Sequence, residues 1–461
     1  MHAQWLEARW ALSGLPNLRY SRRALGTLPN STAAAHPHLV RAIGRWDLTA
    51  LVVNSVIGSG IFGLPVLLIG LVGWWSPLAC LLGAAGVAVI TLCFAELASR
   101  FDTAGGPYLY AREAFGRFVG LQIGWVSWLV RIAGAAANSN LFVIYLAEFW
   151  PGAKNFLPRL AVLTLIFGLL AVVNYRGVRQ GAQVSDFFTV AKTLPLLFFG
   201  AVGIFFLRWE NFGAGGAAGT GDWTQALLLL VFAYGGFESA LIPAAEVRDP
   251  RRDYPFALLV AFGLVAGIYV LIQTVVVGTL PPGTETDRPL AASASLFLGA
   301  GGAALIAVAA MVSTTGLLSS SMLNTPRLTY ALAEQRDFPA VFAAVHSRFH
   351  TPHVSILISA VLSWGLAVYG SFAWNASLSV VARLLIYGSA CAAFLAFRAR
   401  RGEAPAFRVP AGAVLAVLGI GFCVWLLLRM SREEFAILGA TALLAAATWL
   451  WRRRRGRRPG V

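Results

Sequence analysis

Two glycine-rich segments stand out because each interrupts a long apolar run. Residues 54–63 read NSVIGSGIFG, and residues 232–239 read FAYGGFES. Glycine in a helix interior costs about 1 kcal/mol relative to alanine, so we expect a helix to break at each segment. Backbone groups that a break frees within lipid must face a cavity or a ligand. The two segments therefore predict a polar binding site at mid-membrane depth.

The polarity of the broken helices indicates the kind of ligand. A half-helix that starts near residue 61 presents free N–H groups and the positive end of its dipole, which suits a carboxylate. These donors are the amides of Ser59, Gly60 and Ile61. The last carbonyls before the breaks suit an ammonium, and they belong to Ile57, Phe232, Ala233 and Gly235. The pattern predicts one site for both ends of a zwitterionic α-amino acid.

The elements that must position these residues are apolar spans. Of the 461 residues, 58% are apolar and only 12% are charged, with a mean hydropathy of +0.71. Soluble domains carry about 25% charged residues, so a soluble globular enzyme is excluded. Runs of about 18 apolar residues can cross a membrane as helices. Twelve such spans are predicted, near 46–72, 76–99, 117–147, 157–174, 184–207, 222–245, 255–279, 290–322, 353–370, 376–397, 410–429 and 433–451.

The two breaks lie in the first and sixth spans, so the broken helices run through the membrane in opposite directions. Paired interruptions of this kind are typical of inverted repeats around a midplane transport site. The alternative is that the glycines only allow close helix packing. The predicted organisation is a cytosolic tail (1–44), a first repeat (45–208), a Gly-rich external loop (209–221), a second repeat (222–398), two further spans (399–451) and a basic tail (452–461).

Basic residues predict the orientation. With the N-terminus inside, 27 of the 36 lysines and arginines fall on the cytosolic side and six on the other. This asymmetry places both termini in the cytoplasm. It also explains the net charge of +16 without a nucleic-acid partner. The basic C-terminal tail is expected to contact anionic lipid.

Lys192, Arg131, Glu238 and Arg383 are ionisable residues in the interiors of the predicted spans. Lys192 either snorkels to the membrane surface or marks a coupling site. Arg131 either pairs with an acidic substrate or satisfies helix-end carbonyls, and we favour the structural role. Glu238 follows the second break and is either a structural or a coupling carboxyl. Arg383 receives no assignment.

Enzymatic chemistry is not indicated. The six histidines lie in the N-terminal tail or in one predicted loop, and no metal-ligand spacing occurs within the spans. No Walker-type phosphate loop is present, so ATP is not expected to supply energy. The cysteines show no CxxC spacing, which predicts neither disulfides nor zinc. We therefore expect no catalytic residues, no metal and no cofactor.

Three motifs carry a family resemblance. Residues 57–62 (IGSGIF), the stretch from 94 to 116 (FAEL, GGPYLY and REAFG) and residues 245–252 (AEVRDPRR) resemble the amino acid–polyamine–organocation (APC) transporters. The resemblance implies an all-α polytopic membrane protein with a LeuT-like fold. Its five plus five inverted spans have discontinuous helices 1 and 6, and two extra helices follow.

The same resemblance implies roles for single residues. Phe232 stands where an aromatic side chain covers the substrate. Lys192 stands where a lysine replaces the sodium ion of related transporters and contacts spans 1 and 8. Its candidate partners on span 8 are Ser313 and Thr314. Sodium should then be dispensable, and coupling is by proton symport or by exchange.

The function expected is secondary transport of L-amino acids across the inner or plasma membrane by alternating access. We predict a neutral substrate, since no carboxylate is expected to contact the substrate, Glu238 being a turn away, and since Val56, Phe232 and Ala135 line the site. Cationic substrates are disfavoured, and Arg131 keeps acidic substrates as the second choice. A non-transporting amino acid sensor on the same fold is the alternative from another class.

Overall fold

The computed structural model describes residues 43–101, 105–177, 182–213, 220–242, 244–400 and 405–455. The predicted N-terminal tail (1–44) lies almost wholly outside the described residues. Residues 214–219 of the Gly-rich loop and the end of the basic tail, residues 456–461, also lie outside them. The predicted roles of these segments stay predictions.

The fold consists of helices, which we number in chain order. The first half contains α1 (Arg45–Val56), α2 (Ser59–Gly63), α3 (Pro65–Val72), α4 (Ser76–Ala98), α5 (Gly106–Phe115), α6 (Arg117–Leu146), α7 (Phe156–Arg176) and α8 (Ala182–Gly203). The second half contains α9 (Thr220–Tyr234), α10 (Pro250–Thr279), α11 (Pro289–Glu334), α12 (His353–Tyr369), α13 (Phe372–Ala399), α14 (Gly412–Leu427) and α15 (Arg432–Arg455).

The predicted all-α, multi-pass architecture is confirmed. Within the described ranges, nine helical stretches are long and apolar enough to cross a membrane, and three shorter apolar helices correspond to the remaining predicted spans. The eighth span starts later than predicted, because α11 bends at Gly299, whose φ is 68°. Residues 289–298 therefore form a separate short helix before that span.

The central helices are those that carry the predicted site. α6 packs against α11 and α13, and α4 packs against α10, which also contacts α1. In contrast, only 17% of the apolar stretch of α7 is buried inside the protein, and the same holds for α15. These two helices therefore mainly face the surroundings. The broken helices α1, α2 and α9 are thus enclosed by continuous ones. This enclosure lets a polar break exist within an apolar protein.

A short backbone bridge ties the two broken spans together at one end. The N–H of Ile43 donates to the Glu246 carbonyl (3.1 Å), and the N–H of Arg248 donates to the Ile43 carbonyl (3.0 Å). Arg45 adds an ion pair with Asp253 at 3.4 Å. The chain before α1 is therefore fastened to the chain that follows the second break.

Candidate functional site

The first break spans only two residues. α1 ends at Val56, Ile57 adopts an extended conformation (φ −69°, ψ 102°), and Gly58 has φ −137° and ψ −146°. α2 then starts at Ser59, which leaves the amides at its first turn without partners from their own helix. The break lies within the segment where the glycines predicted it.

The second break follows Tyr234 and contacts the first directly. Gly236 has φ 115°, and a Cβ atom there would lie 2.2 Å from the carbonyl oxygen of Ser55. Only glycine fits both this conformation and this approach. In the same way, a Cβ on Gly60 would lie 2.8 Å from the Cα of Ala233. The glycines of each break therefore make room for the backbone of the other.

A cavity of about 150 Å³ lies beside the paired breaks. It is smaller than the roughly 300–1,000 Å³ pockets that hold drug-sized ligands, so it suits a single small solute. Five of the eight predicted substrate-binding residues line it: Ser59, Gly60, Arg131, Phe232 and Gly235. The other three, Ile57, Ile61 and Ala233, are buried outside its lining.

The cavity reaches one face of the protein and is covered towards the other. On the first side, its lining continues to Tyr108 of α5 and Asn324 near the end of α11. On the second side, the ring of Phe232 packs edge-on against Phe372, with ring centroids 6.1 Å apart. Gly63 allows this cover, because a Cβ on it would lie 2.5 Å from the Phe372 ring.

Lys192 lies in the middle of α8 and is buried, with 1% of its surface exposed. Its ammonium donates to the carbonyl oxygens of Asn54 (2.7 Å) and Ile57 (2.6 Å). The sequence predicted that the Ile57 carbonyl binds the substrate ammonium, whereas in the structure Lys192 takes it. The reason is that the break frees this carbonyl at the negative end of α1, where a buried cation binds best.

The predicted partners of Lys192 on α11 behave differently. The hydroxyl of Ser313 is buried and has no hydrogen-bond partner among the described residues. Thr314 donates to the carbonyls of Ala310 (2.9 Å) and Met311 (3.0 Å) within its own helix. Lys192 is thus held by span 1, and the structure shows no hydrogen bond from it to either hydroxyl.

Glu238 is the centre of a buried polar cluster. Its carboxylate accepts hydrogen bonds from Arg383 Nε (2.8 Å), from the Tyr387 hydroxyl (3.0 Å) and from the Gly236 amide (2.9 Å). The guanidinium of Arg383 also packs on Gly235, where a Cβ would lie 2.1 Å from Nη1. The second break is therefore fixed by an ion pair from α13.

Three polar groups at the cavity have no partner among the described residues. The hydroxyl of Ser59 and the Oδ1 of Asn138 are buried and unbonded within the part of the chain that the structure describes. Arg131 lines the same cavity and forms no hydrogen bond or ion pair with a described residue. Buried polar groups in proteins are nearly always hydrogen-bonded, so the Ser59 hydroxyl and the Asn138 Oδ1 are available to a ligand. Arg131 is half-buried, and its guanidinium is available as well.

A second polar cluster lies where the cavity meets α5. The Tyr108 hydroxyl donates to Asp337 (2.6 Å), which also accepts from Arg117 Nε (2.8 Å). Burial, and then the hydrogen bond to the Asp337 carboxylate, raise the pKa of Tyr108 to about 12. Tyr108 is therefore a neutral donor that joins α5 to the chain after α11.

Sequence reasoning missed several cavity residues. Arg383 received no role, and its helix neighbour Tyr387, which binds the same carboxylate, was not considered. Their spacing of four places both on one face of a helix, which is a usable signal. The run of three serines at 319–321 in the eighth span was a second signal, since Ser320 and Ser321 line the cavity. Within the described ranges, no group of three His, Cys, Asp or Glu side chains could hold a metal ion.

Comparison with known proteins places these features in a family. The family model described as amino acid permease matches residues 43–446. A methylthioribose transporter of Bacillus subtilis is 25% identical over 436 residues, which cover 88% of this chain and 91% of the relative. The serine/threonine exchanger SteT of the same organism is 26% identical over 432 residues, covering 88% and 92%. An uncharacterized transporter of Mycobacterium bovis is 29% identical over 413 residues, covering 84% and 91%.

Proposed function

Since this chain belongs to the amino acid permease family, we propose that it is a secondary transporter of L-amino acids that works by alternating access. The observation that carries the proposal is the contact between two helix breaks beside a cavity of about 150 Å³. A broken helix presents backbone donors and acceptors that need partners from the protein, from water or from a ligand at this depth. An amino acid supplies the complementary groups.

The α-carboxylate is proposed to bind at the start of α2. The amides of Ser59, Gly60 and Ile61 form its first turn, and the Ser59 hydroxyl is buried beside them without a described partner. The α-ammonium then binds carbonyls at the end of α9, those of Phe232, Ala233 and Gly235. The sequence also predicted the Ile57 carbonyl for this role, and this carbonyl accepts a hydrogen bond from the Lys192 ammonium.

The conformation corresponds to one half of the transport cycle. The cavity reaches the face that carries α5 and is covered on the other face by Phe232 and Phe372. The excess of lysine and arginine on the α5 side supports the proposal that this side is cytosolic and that both termini lie there. We therefore assign an inward-facing state in an inner or plasma membrane, with Phe232 as the gate residue.

Coupling is proposed to depend on Lys192. Its ammonium joins α8 to the end of α1, so it supplies a positive charge at the broken helix and no sodium ion is required. Two versions follow from this contact. The amine releases its proton during the cycle, which gives proton symport, or it stays charged and holds the bundle for obligatory exchange. We favour proton symport.

The cavity also limits the substrate side chain. Cationic substrates are disfavoured, because Arg131 and Arg383 line the cavity and the one carboxylate of its described lining, Glu238, is bonded to Arg383. The sequence predicted neutral substrates from the apolar residues Val56, Ala135 and Phe232, and the same lining also contains Arg131, which forms no ion pair with a described residue. The relative SteT is named as a serine/threonine exchanger, which fits small neutral substrates.

The proposal is tested with the purified full chain. A thermal-shift screen against the twenty amino acids identifies binders, because a ligand raises the melting temperature by mass action. Uptake of the labelled binder into proteoliposomes then measures transport under a pH gradient, under a sodium gradient and with internal amino acid. Saturable binding without flux in all three conditions would contradict transport and favour a sensor on the same fold.

A further inference from the structure

The charges that line the cavity do not balance. Among the described residues that line it, Arg131, Glu238 and Arg383 are charged. Glu238 and Arg383 form a buried ion pair at 2.8 Å, and the Tyr387 hydroxyl and the Gly236 amide donate to the same carboxylate. Three donors of the protein thus already bind this carboxylate. Arg131 forms no hydrogen bond or ion pair with a described residue, so two arginines and one glutamate leave this lining with a net positive charge.

The position of Arg131 along α6 indicates which part of a bound amino acid its charge would face. On α6, Asn138 lies beside the first break, since its Oδ1 would be 3.8 Å from a Cβ on Gly58. Arg131 precedes Asn138 by two helical turns, or roughly 10 Å along the axis. Side chains also lean towards the N-terminus of their helix, here towards the α5 end of the cavity. Arg131 therefore lies on the α5 side of the first break, displaced along α6 from the level of Asn138.

Closure of the cavity around a substrate would change the solvation of the Arg131 guanidinium. In the inward-facing state, water that enters from the α5 side can solvate the guanidinium. When the cavity closes around a substrate, that water is lost, and an unpaired buried charge is costly. A substrate with a second carboxylate would provide the missing partner, whereas a neutral side chain would leave Arg131 desolvated and unpaired.

We infer that Arg131 recognises a carboxylate on the substrate side chain, so that acidic amino acids are the preferred substrates. The inference rests on the proposed function and reverses the sequence-based preference for a neutral substrate. The reach along α6 favours the longer side chain of glutamate over that of aspartate. Arg131 thus determines specificity, while the two breaks bind the groups that all amino acids share.

Matched ligands provide the first test. Binding of glutamate, glutamine, aspartate, asparagine and serine to the purified wild type is measured by isothermal titration. A hydrogen-bonded ion pair predicts that glutamate binds about ten- to a hundredfold more tightly than glutamine. Equal or tighter binding of glutamine or serine would overturn the inference but leave the proposed function standing. If no amino acid binds, the proposed function fails as well.

Variants then identify the residue responsible. Arg131→Gln should weaken glutamate binding about ten- to a hundredfold, with glutamine affinity changed by less than about threefold. Arg131→Lys keeps the charge and should retain part of the preference, which also covers the case in which Arg131→Gln fails to fold. Arg432→Gln removes the same charge at an exposed position and should change neither affinity. Equal losses for glutamate and glutamine in Arg131→Gln would assign Arg131 to the α-carboxylate and refute the inference.

Discussion

The ammonium of Lys192 lies 2.6 Å from the carbonyl oxygen of Ile57 and so joins the middle of α8 to the broken end of α1. In an unbroken helix, this carbonyl would accept from the amide four residues further along, that of Ile61. The Asn54 carbonyl, 2.7 Å from the same ammonium, would accept from Gly58. Lys192 therefore replaces two hydrogen bonds that the break removes, and the geometry of the substrate site depends on a charge from another span.

The first prediction concerns Lys192→Met, which keeps the length of the side chain and removes its charge. The carbonyls of Asn54 and Ile57 lose the ammonium that donates to them, and an unsatisfied buried group costs about 1–3 kcal/mol. We expect a lower melting temperature and loss of net uptake driven by a pH gradient in proteoliposomes. Lys192→Ala should lose the same net uptake and should be less stable than Lys192→Met, because it also leaves a void.

The chain contains one other lysine, Lys154, and it serves as the control. It pairs with Asp287 at a site where both side chains are more than 40% exposed, at 42% and 43%. Exposed ion pairs contribute about 0–1 kcal/mol, so Lys154→Met should melt and transport as the wild type does. Undiminished transport by the Lys192 variants, or full sodium dependence of the wild type, would show that Lys192 has no role in coupling.

Gly60→Val is expected to abolish substrate binding. A Cβ at this position would lie 2.8 Å from the Cα of Ala233 and 3.1 Å from its Cβ, so the two breaks would have to separate. A β-branched side chain also restricts the backbone whose amides bind the carboxylate. Isothermal titration with the substrate measures the effect, and wild-type affinity would show that the carboxylate binds elsewhere.

Two variants control for the size and the polarity of this change. A Cβ on Gly70, in α3, would meet no described atom within 4 Å, so Gly70→Val should bind normally. Ser59→Ala removes a hydroxyl and keeps the amide. It should therefore weaken binding less than Gly60→Val does, because the proposed contact to the carboxylate is made mainly by the backbone.

Some of these relationships were accessible from the sequence. Glycine weakens helices through its own conformational freedom, so the breaks near Gly58 and Gly235 followed from local composition. A lysine in an apolar run is visible in the same way, which singled out Lys192. In both cases the signal lies within a few residues of the position that it identifies.

Other relationships depend on how distant helices are rotated against one another. Arg383 and Glu238 are 145 residues apart, and no local pattern shows that α13 turns Arg383 towards the second break. The same limit explains why the hydrogen bond predicted between Lys192 and Ser313 is not found in the structure. This hydrogen bond required a rotation of α11 relative to α8 that spacing along the chain does not encode, and the Ser313 hydroxyl has no partner among the described residues.

Tyr108→Phe tests the cluster between α5 and the chain after α11. The pKa of Tyr108 is raised to about 12, so its folded-state value lies above the ordinary tyrosine value. Its contribution to stability is then complete below about pH 10 and is lost as the pH rises through about 12. We expect the variant to melt lower than the wild type by the same margin from pH 6 to pH 9.

Above pH 10, the difference between this variant and the wild type should shrink, since the wild type then loses the same contact. Tyr369→Phe is the matched control, because Tyr369 is 74% exposed and its loss should leave the melting temperature unchanged at each pH. A margin that varies between pH 6 and pH 9 would mean that another group in the cluster titrates there.

The last prediction is that Glu238→Gln is the most destabilising single change among these variants. The carboxylate accepts three hydrogen bonds, from Arg383, Tyr387 and Gly236, and it neutralises the buried guanidinium. Removing one partner of a buried ion pair costs about 3–5 kcal/mol, because the other charge remains without compensation. If the guanidinium is the cause, Glu238→Gln combined with Arg383→Met should melt higher than Glu238→Gln alone.

Asp249→Asn is the control for Glu238→Gln, because it breaks an exposed pair with Arg252 at 3.9 Å and should have little effect on the melting temperature. A melting temperature of Glu238→Gln equal to that of Asp249→Asn would show that the ion pair does not hold the second break.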